Sequence, residues 1–327
     1  MTKTLPTSAS FVLLPQMPVV QPLIAQVPAL ALIGNTPLVR IAAWEDSHPG
    51  VEIWAKVEFY NPGGSVKDRP VLRMLAQGIA DGRLTKGKTI IDSSSGNAGI
   101  AYAVIGGALG YKVEIVIPDN ASSERLKRLR AHGATITHTS AQDGYDEAIR
   151  EVRRLVAADP EKYFYCDQYS NDGNWQAHYD TTGEEIWQQT GGRVTHFVYG
   201  VGTGGVLTGV GRRLKRHNPD IQIELLIPEA FPGVEGLKPL RDPDDHVPEI
   251  LDQTLADRDW DLDVDDAWEA SQILAKAGLF GGQSSGANVW TAVRVARDLA
   301  NRGETGVIAT LLPDSGERYF STRLWDA

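Results

Sequence analysis

Cysteine is almost missing from this sequence, since Cys166 is the only one among 327 residues. A single cysteine excludes an internal disulfide framework and a multi-cysteine metal site, and it fits a reducing compartment. The seven histidines show no metal-ligand spacing, so we predict no metal. Cys166 follows Phe164 and Tyr165 and has no histidine nearby in sequence. We therefore interpret it as a buried strand residue rather than as a nucleophile.

Basic residues and long apolar runs are also scarce. The 32 Lys and Arg residues face 42 Asp and Glu residues, which gives a formal net charge of -10. Nucleic acid or an anionic membrane would require a basic face, so this balance argues against both as partners. There is no apolar span of 18 residues, and residues 1–30 lack the unbroken apolar region of a signal peptide. We expect this proline-rich stretch to be an extended arm that contacts a partner subunit, with a cleaved targeting peptide as the alternative.

Helical and strand patterns alternate between about residues 67 and 165. The helical segments are 67–81, 96–109, 122–132 and 144–157, and the strand segments are 88–92, 112–117, 134–138 and 163–166. Such alternation with short connections predicts a parallel sheet with helices on its faces. Ligands bind such sheets beyond the carboxyl ends of the strands. The length of 327 residues is typical of a chain with about two domains.

A loop with a lysine follows the strand-like run 51–57. Residues 61–70 read NPGGSVKDRP, and Pro70 occurs where the first turn of a helix tolerates proline. Lys67 is therefore expected at a junction between a loop and a helix. The positive end of a helix dipole disfavours a charged lysine and favours the neutral, nucleophilic amine. The alternative is a surface lysine beside an ion pair of Asp68 and Arg69.

Two further segments have the composition of anion-binding loops. Residues 93–99 read SSSGNAG after a strand, and the hydroxyl and N–H groups of such a helix start suit a carboxylate. The alternative is a serine N-cap with a glycine-rich turn. Residues 200–205 read GVGTGG between a strand over 195–199 and a helix over 206–217. Glycines there let the backbone approach an oxyanion, so this loop is a candidate phosphate cradle.

The glycine loop also satisfies the dinucleotide fingerprint GxGxxG. Glu229 ends the next strand, near the spacing of the acid that binds a ribose. Alone, this segment would indicate an NAD-dependent enzyme. However, the fingerprint begins 200 residues into the chain, Pro228 precedes the acid, and a second anion-type loop lies upstream. One phosphate fits these features better than a dinucleotide does.

These segments resemble the fold-type II pyridoxal-phosphate enzymes, in particular the cysteine synthase and cystathionine β-synthase family, over roughly residues 30–322. The resemblance implies an α/β fold like that of the tryptophan synthase β subunit, with two three-layer domains whose sheets are mostly parallel. The cofactor, pyridoxal 5'-phosphate, would lie in the cleft between the domains. By the same resemblance, residues 61–171 form a smaller, mobile domain, and residues 31–60 with 172–327 form a larger one after the arm of residues 1–30.

The resemblance also implies roles for individual residues. Lys67 would form the Schiff base with the cofactor and, once freed by the substrate, act as the general base for the Cα proton. The cofactor would be bound by Lys67, Asn97, Gly200, Gly202, Thr203, Gly204, Gly205 and Ser284, the last at the pyridine nitrogen. The substrate would be bound by Ser94, Ser95, Asn97, Gln168 and Arg241. Ala98 and Val206 stand where the family commonly has threonine, so one hydroxyl contact to the substrate and one to the phosphate are missing.

Arg241 ends a segment that departs from many acetylserine-using members. Residues 233–241 read GVEGLKPLR, and this shorter segment looks more like that of phosphoserine-using or cystathionine-forming relatives. Arginine can grip a phosphate with two parallel hydrogen bonds. The alternative is a solvent-exposed loop whose Lys and Arg side chains balance Asp242, Asp244 and Asp245.

The function implied is that of a cysteine synthase-type transferase with lyase-like elimination chemistry. It would replace the β-substituent of O-acetylserine or O-phosphoserine with sulfide and give L-cysteine, as a cytoplasmic homodimer. A condensation of serine with homocysteine, as in cystathionine β-synthase, is one alternative. Another is a non-catalytic protein whose cleft binds a partner, such as the C-terminal peptide of a serine acetyltransferase. Sulfide, thiosulfate and homocysteine stay open as sulfur donors, and acetyl, phosphate and hydroxyl as leaving groups.

Overall fold

The computed structural model of the protein describes residues 14–326 apart from residues 95, 120, 122 and 243–246. The strands in this part of the chain are β1 Leu38–Arg40, β2 Val51–Val57, β3 Thr89–Asp92, β4 Lys112–Pro118, β5 Thr135–Thr139, β6 Tyr163–Tyr165, β7 His196–Gly200, β8 Gln222–Pro228, β9 Arg258–Leu262 and β10 Gly306–Leu312. The α-helices are α1 Gln21–Gln26, α2 Asp68–Ala80, α3 Asn97–Ala108, α4 Ser123–Ala131, α5 Gly144–Ala158, α6 Asp172–Ala177, α7 Gly183–Gln189, α8 Gly205–His217, α9 Val264–Lys276 and α10 Gln283–Asn301.

The strands form two sheets. The first has six strands in the order β1-β2-β10-β7-β8-β9, and the second has four in the order β5-β4-β3-β6. The paired strands run parallel except β1 and β2, which pair antiparallel. The predicted α/β class with mostly parallel sheets is confirmed. The four-stranded sheet uses residues 89–165, within the smaller predicted domain, while the exact domain limits stay a prediction.

Side chains on both faces of the central strands are buried, as helices on both sides of a parallel sheet require. In β4 the residues from Ile115 to Pro118 are all buried, and in β10 those from Val307 to Leu312. The segments with candidate site residues follow the carboxyl ends of these parallel strands. The loop of residues 93–96 follows β3, the glycine loop follows β7, and residues 313–316 follow β10. The two sheets therefore present these loops to one another.

The expectation of an extended N-terminal arm is wrong for residues 14–30. This stretch contains a 3-10 helix Leu14–Gln16, helix α1 and a 3-10 helix that begins at Pro28. Its prolines do not interrupt these helices, because Pro22 and Pro28 occupy first-turn positions that need no N–H donor. Leu14, Val20 and their apolar neighbours are buried in the same core as helices α2 and α3 of this chain. Residues 1–13 lie outside the described residues.

Three findings bear on broad function class. Across residues 14–326 with the gaps given above, no helix is long and apolar enough to span a membrane. Nor do three His, Cys, Asp or Glu side chains in those ranges come together as possible metal ligands. Cys166 is a buried free thiol that directly follows β6, and burial raises its pKa well above the usual value. The interpretation as a buried, unreactive cysteine agrees with this environment.

Candidate active site

A cavity of about 470 Å³ lies between the two sheets. One wall comes from the lysine loop, from the start of α3 and from α4, and the other from the glycine loop, from Ser284 and from residues 313–319. The candidate residues that line the cavity are Lys67, Ser94, Asn97, Gln168, Gly200, Gly202, Thr203, Gly204 and Ser284. Segments separated by more than 200 residues in sequence thus meet in one cleft.

Lys67 immediately precedes the first residue of α2, as predicted, and its side chain is half-buried in the cleft. The backbone N–H of Val66 donates to the carbonyl of Pro313 at 2.8 Å, which holds the loop against the segment that follows β10. Loss of hydration lowers the pKa of Lys67 to about 8, while the nearby charge of Asp314 acts in the opposite direction. Lys67 is therefore a neutral amine in a large fraction of molecules near pH 8, and the principal cause is burial.

The alternative in which Asp68 and Arg69 form a surface ion pair is wrong. Arg69 is fully buried and donates to both carboxylate oxygens of Glu58, at 2.8 Å each, and to Glu185, at 2.6 and 2.8 Å. Asp68 is also buried and accepts from the backbone N–H of Gly63. Burial raises the pKa of Asp68 to about 7. Arg69 therefore fixes the start of α2, and with it the backbone of Lys67.

The glycine loop has the geometry of an anion cradle. Gly204 has a φ of +86° and directly precedes α8, a conformation that favours glycine. A Cβ atom on Gly202 would lie 2.5 Å from the carbonyl oxygen of Gly236, so a side chain there would not fit. The first N–H groups of α8 have no acceptor within the helix, and they and the helix dipole favour an anion at this end.

Asn174 braces the cradle, although no motif in the sequence identifies it. Its side-chain amide donates to the hydroxyl of Thr203 at 3.0 Å and to the carbonyl of Gln168 at 2.7 Å. Gly205 begins α8 against the Asn174 side chain, and it does not belong to the residues that line the cavity. Two candidate residues, Thr203 and Gln168, are thus held together by one buried amide from α6.

The loop proposed for a substrate carboxylate brings Ser94 and Asn97 into the cleft, and Ser95 lies outside the described residues. The Asn97 amide donates to Asp314 at 2.7 Å, and its oxygen accepts from Arg318. Asp314 and Arg318 follow β10, and neither is among the candidate residues taken from the sequence. Asp314 is buried, which raises its pKa, and its Oδ1 atom has no hydrogen-bond partner among the described residues.

Arg241 does not belong to the residues that line the cleft. Its guanidinium is half exposed and forms ion pairs with Asp259 at 3.0 Å and Asp261 at 2.7 Å. These two acids lie on β9, and Asp244 and Asp245 of the alternative interpretation lie outside the described residues. The geometry does not bring Arg241 to the other candidate residues, and its role as a reader of the leaving group stays a prediction.

The cleft residues fit a pyridoxal phosphate. The cradle offers backbone donors to a phosphate where a side chain would not fit, Lys67 offers an amine to the aldehyde, and Ser284 lies in the first turn of α10 with its side chain on the cleft. The acid that a dinucleotide would require is engaged elsewhere, because Glu229 accepts from the backbone N–H of Val264 at 2.8 Å. One phosphate group therefore fits the glycine loop better than a dinucleotide.

Comparison with known proteins agrees with this geometry. Residues 29–314 match the family model described as "pyridoxal-phosphate dependent enzyme". The chain is 50% identical over 301 residues to the cysteine synthase of Aquifex aeolicus (strain VF5), which covers 90% of this chain and 91% of that protein. Its fold is similar to the crystal structure of a cysteine synthase from Entamoeba histolytica, with a TM-score of 0.86 and 31% identity over 100% of this chain and 94% of that one.

A second solved structure extends the comparison. The O-acetylserine dependent cystathionine β-synthase from Helicobacter pylori has a TM-score of 0.81 to this chain and 32% sequence identity, over 91% of this chain and 98% of that one. The resemblance drawn from the motifs is thus confirmed, and so is the cofactor that it implied. The chain belongs to the family of pyridoxal-phosphate dependent enzymes.

Proposed function

We propose that the protein is a cysteine synthase, which replaces the β-substituent of an activated serine with sulfide and gives L-cysteine. The observation that carries this proposal is the pairing of Lys67, whose pKa is lowered to about 8, with the cradle of the glycine loop in one cleft. Relatives named cysteine synthase at 50% and 31% identity support it. The substrate class is O-acetylserine or O-phosphoserine.

The residues of the cleft have separate roles in this reaction. Bound pyridoxal phosphate supplies an electron sink that acidifies the Cα–H bond of the substrate and lets the β-substituent leave. Lys67 would hold the cofactor through its Nζ atom, and the same atom, once free and neutral, would take the Cα proton of the substrate. Ser94, Asn97 and Gln168 orient the substrate carboxylate. Ser284 offers a neutral hydroxyl to the ring nitrogen, and the weaker electron withdrawal that results suits β-elimination and discourages transamination.

Exclusion of water is the second requirement of this chemistry. Water in the cleft would divert the substrate to pyruvate, so the cleft must close during turnover. We propose that the smaller domain, residues 61–171, moves towards the larger one when the substrate binds. Asn97 is suited to report binding across the cleft, because its side chain bonds to Asp314 and Arg318 of the other wall.

An absorption spectrum of the purified protein, followed by separate titrations with O-acetylserine, O-phosphoserine and serine, tests the proposal. We expect a band of the lysine-bound cofactor that shifts with the true substrate, and sulfide should then restore it with release of cysteine. Lys67→Ala should remove that band and lower turnover at least about a thousandfold. The matched control Lys276→Ala changes an exposed lysine of α9 and should behave as wild type. A protein that stays colourless after pyridoxal phosphate is added would overturn the assignment.

A cystathionine β-synthase-type reaction is the second candidate. This chain covers 98% of the Helicobacter pylori relative that is named for that reaction. Homocysteine supplied with O-acetylserine or serine in place of sulfide distinguishes the two. Cystathionine formation with a kcat/KM above that for sulfide would favour the second candidate. We expect sulfide to be the better nucleophile, because the relative at 50% identity is named cysteine synthase.

We also propose a cytoplasmic homodimer that can bind the C-terminal peptide of a serine acetyltransferase in its cleft. Exposed apolar side chains such as Leu32 and Phe320 support a subunit contact, and the free thiol of Cys166 supports a reducing compartment. Sedimentation of the purified protein should give the mass of a dimer, or twice 35.6 kDa. A monomer at micromolar concentration would contradict this part of the proposal.

A further inference from the structure

The cleft contains two arginines that the proposed chemistry does not use. Arg128 of α4 and Arg318, which follows β10, line the same cavity as Lys67. They belong to opposite walls of the cleft, one to the smaller domain and one to the larger. The cavity lining contains five cationic side chains and two carboxylates, Glu235 and Glu317, in a chain with a net charge of -10. The cationic excess is therefore local to the cleft.

The two guanidinium groups meet at one carbonyl oxygen. Arg128 Nη2 donates to the oxygen of Gly63 at 2.9 Å, and Arg318 Nη2 donates to the same oxygen at 2.6 Å. Arg318 also donates to the carbonyl of Gly64 at 2.9 Å and to the Asn97 side chain. Both acceptor carbonyls belong to the loop that holds Lys67. Two like charges are thus held side by side next to the reacting group.

Neither arginine forms an ion pair with a carboxylate in the part of the chain that the structure describes. The buried Nε atom of Arg318 has no acceptor among the described residues. Burial lowers the pKa of Arg128, and the neighbouring charge of Arg318 lowers it further. Asp68 lies behind Gly63, but its own pKa is raised to about 7, so its negative charge is only partial near neutrality.

Arg125 is the useful contrast, since it lies on the same helix and lines the same cavity. It forms an ion pair with Glu235 across the cleft, so its charge is compensated within the protein. Glu317 also lines the cavity, and its charge raises the pKa of Arg128 against the effect of burial, but in the described part of the chain it forms no ion pair with either arginine and accepts from the Ser315 hydroxyl at 3.2 Å. Arg128 and Arg318 form no ion pair of this kind among the described residues, and their recorded hydrogen bonds go to neutral acceptors, the carbonyls of Gly63 and Gly64 and the Asn97 amide. Two adjacent guanidinium groups with free N–H donors are well suited to bind an oxyanion.

We propose that Arg128 and Arg318 form a subsite for a second oxyanion, carried by one of the two reactants in addition to the substrate α-carboxylate. This inference rests on the proposed function, in which the glycine loop takes the cofactor phosphate and Ser94, Asn97 and Gln168 take the α-carboxylate. The second oxyanion is then either the phosphate of O-phosphoserine or the oxygens of thiosulfate. With thiosulfate, the Cβ–O bond to acetate breaks and a Cβ–S bond forms, which gives S-sulfocysteine and acetate with no oxidant or reductant.

Steady-state kinetics of Arg128→Gln test the subsite and show whether O-phosphoserine or thiosulfate carries the second oxyanion. Glutamine keeps an amide donor for the Gly63 carbonyl but lacks the charge. The reference reaction, O-acetylserine with sulfide, should change less than twofold. Either O-phosphoserine with sulfide or O-acetylserine with thiosulfate should show a KM raised about tenfold, the worth of one charge-assisted hydrogen bond. Arg128→Lys, which keeps the charge, should recover most of that loss.

Arg130→Gln is the matched control, because Arg130 is exposed on the same helix and its loss changes the net charge equally. It should leave the KM values of all three reactions within twofold of wild type. Equal losses in the three reactions of Arg128→Gln would indicate that Arg128 only positions the lysine loop, and this result would overturn the proposal. Unchanged KM values in all three would overturn it as well.

A binding measurement separates this inference from the proposed function. Calorimetric titration of the cofactor-loaded protein with thiosulfate and with inorganic phosphate keeps the cradle filled, so any new anion site is a different one. We expect wild type and Arg130→Gln to bind at least one of these anions about tenfold more tightly than Arg128→Gln. If cysteine synthesis is absent but this difference remains, the proposed function fails and the subsite stands. Equal affinities in all three proteins would remove the subsite.

Discussion

Two groups of charged side chains in the region of Lys67 differ in how completely they are paired. The first group is called here the anchor cluster. It consists of Lys56, Glu58, Arg69 and Glu185, and all four side chains are fully buried. Glu185 lies between Lys56 and Arg69, at 2.6 Å from each. These cations hold the pKa of Glu185 far below its usual range. Every charge in the cluster has an opposite partner.

The second group is in the cleft and is paired incompletely. Burial lowers the pKa values of Lys67 and Arg128 and raises that of Asp314, and it lowers that of Lys56 in the anchor cluster as well. The cleft group differs because neither Lys67 nor Arg128 forms an ion pair in the part of the chain that the structure describes, whereas Lys56 pairs with Glu185. Perturbed groups of this kind collect at functional sites, where a ligand supplies the missing interactions. The comparison teaches that burial of charge alone does not identify a site. The anchor cluster stabilises one position of the lysine loop, and the cleft group is left to react and bind.

Arg69→Ala should have the largest effect on stability, because it leaves the carboxylates of Glu58 and Glu185 buried without their main partner. We expect the free energy of unfolding to fall by about 3 to 5 kcal/mol, the usual loss when one partner of a buried ion pair is removed. Urea denaturation followed by tryptophan fluorescence measures it. The control is Arg40→Ala in the half-exposed pair with Glu45, which should cost about 1 kcal/mol or less. Similar losses in both variants would show that the buried ion pairs of Arg69 stabilise the fold no more than an exposed ion pair does.

The anchor cluster also shows where local sequence patterns stop being informative. Helices and strands over residues 67–165 could be predicted within a few residues, because apolar periodicity and turn residues are local signals. Lys56 lies in strand β2 and Glu185 in helix α7, and nothing in either segment indicates that they meet. A charged residue inside a strand is ordinarily read as exposed, whereas Lys56 is fully buried. The burial of Lys56 is explained only by its tertiary contact with Glu185.

The candidate site divides in the same way. The lysine loop, the serine loop and the glycine loop were recognisable because each is one short segment whose residue types have a direct chemical meaning. Asn174 and Asp314 were not, since their partners Thr203 and Asn97 lie 29 and 217 residues away. Arg241 shows the converse limit. Its residue type suits a phosphate, but its local sequence did not indicate the ion pairs with Asp259 and Asp261 of β9, and its role towards the substrate stays a prediction.

The pH dependence of cofactor binding should sharpen the contrast between the two groups. An amine attacks an aldehyde only when it is neutral, so the rate at which the cofactor-free protein takes up pyridoxal phosphate should follow the neutral fraction of Lys67. The rate should rise about tenfold per pH unit up to a midpoint near 8, the pKa of Lys67, and level off above it. Stopped-flow absorbance measures it. In Asp314→Asn, which removes a charge that raises this pKa, the midpoint should move below 8. A midpoint near 10.5, the ordinary lysine value, would show that burial does not activate Lys67.

Arg241→Ala should have the smallest effect, because the lost ion pairs are exposed and the side chain lies outside the cleft lining. We expect the free energy of unfolding to change by about 1 kcal/mol or less. We also expect the ratio of kcat/KM for O-phosphoserine to that for O-acetylserine to stay within twofold of wild type. Parallel assays with the two substrates and sulfide measure this ratio. The control is Arg258→Ala, which removes an ion pair between β9 and Asp298 of α10. A selective loss of phosphoserine turnover in Arg241→Ala would mean that Arg241 leaves Asp259 and Asp261 when the substrate binds. Arg241, rather than Arg128 and Arg318, would then bind the phosphate of O-phosphoserine.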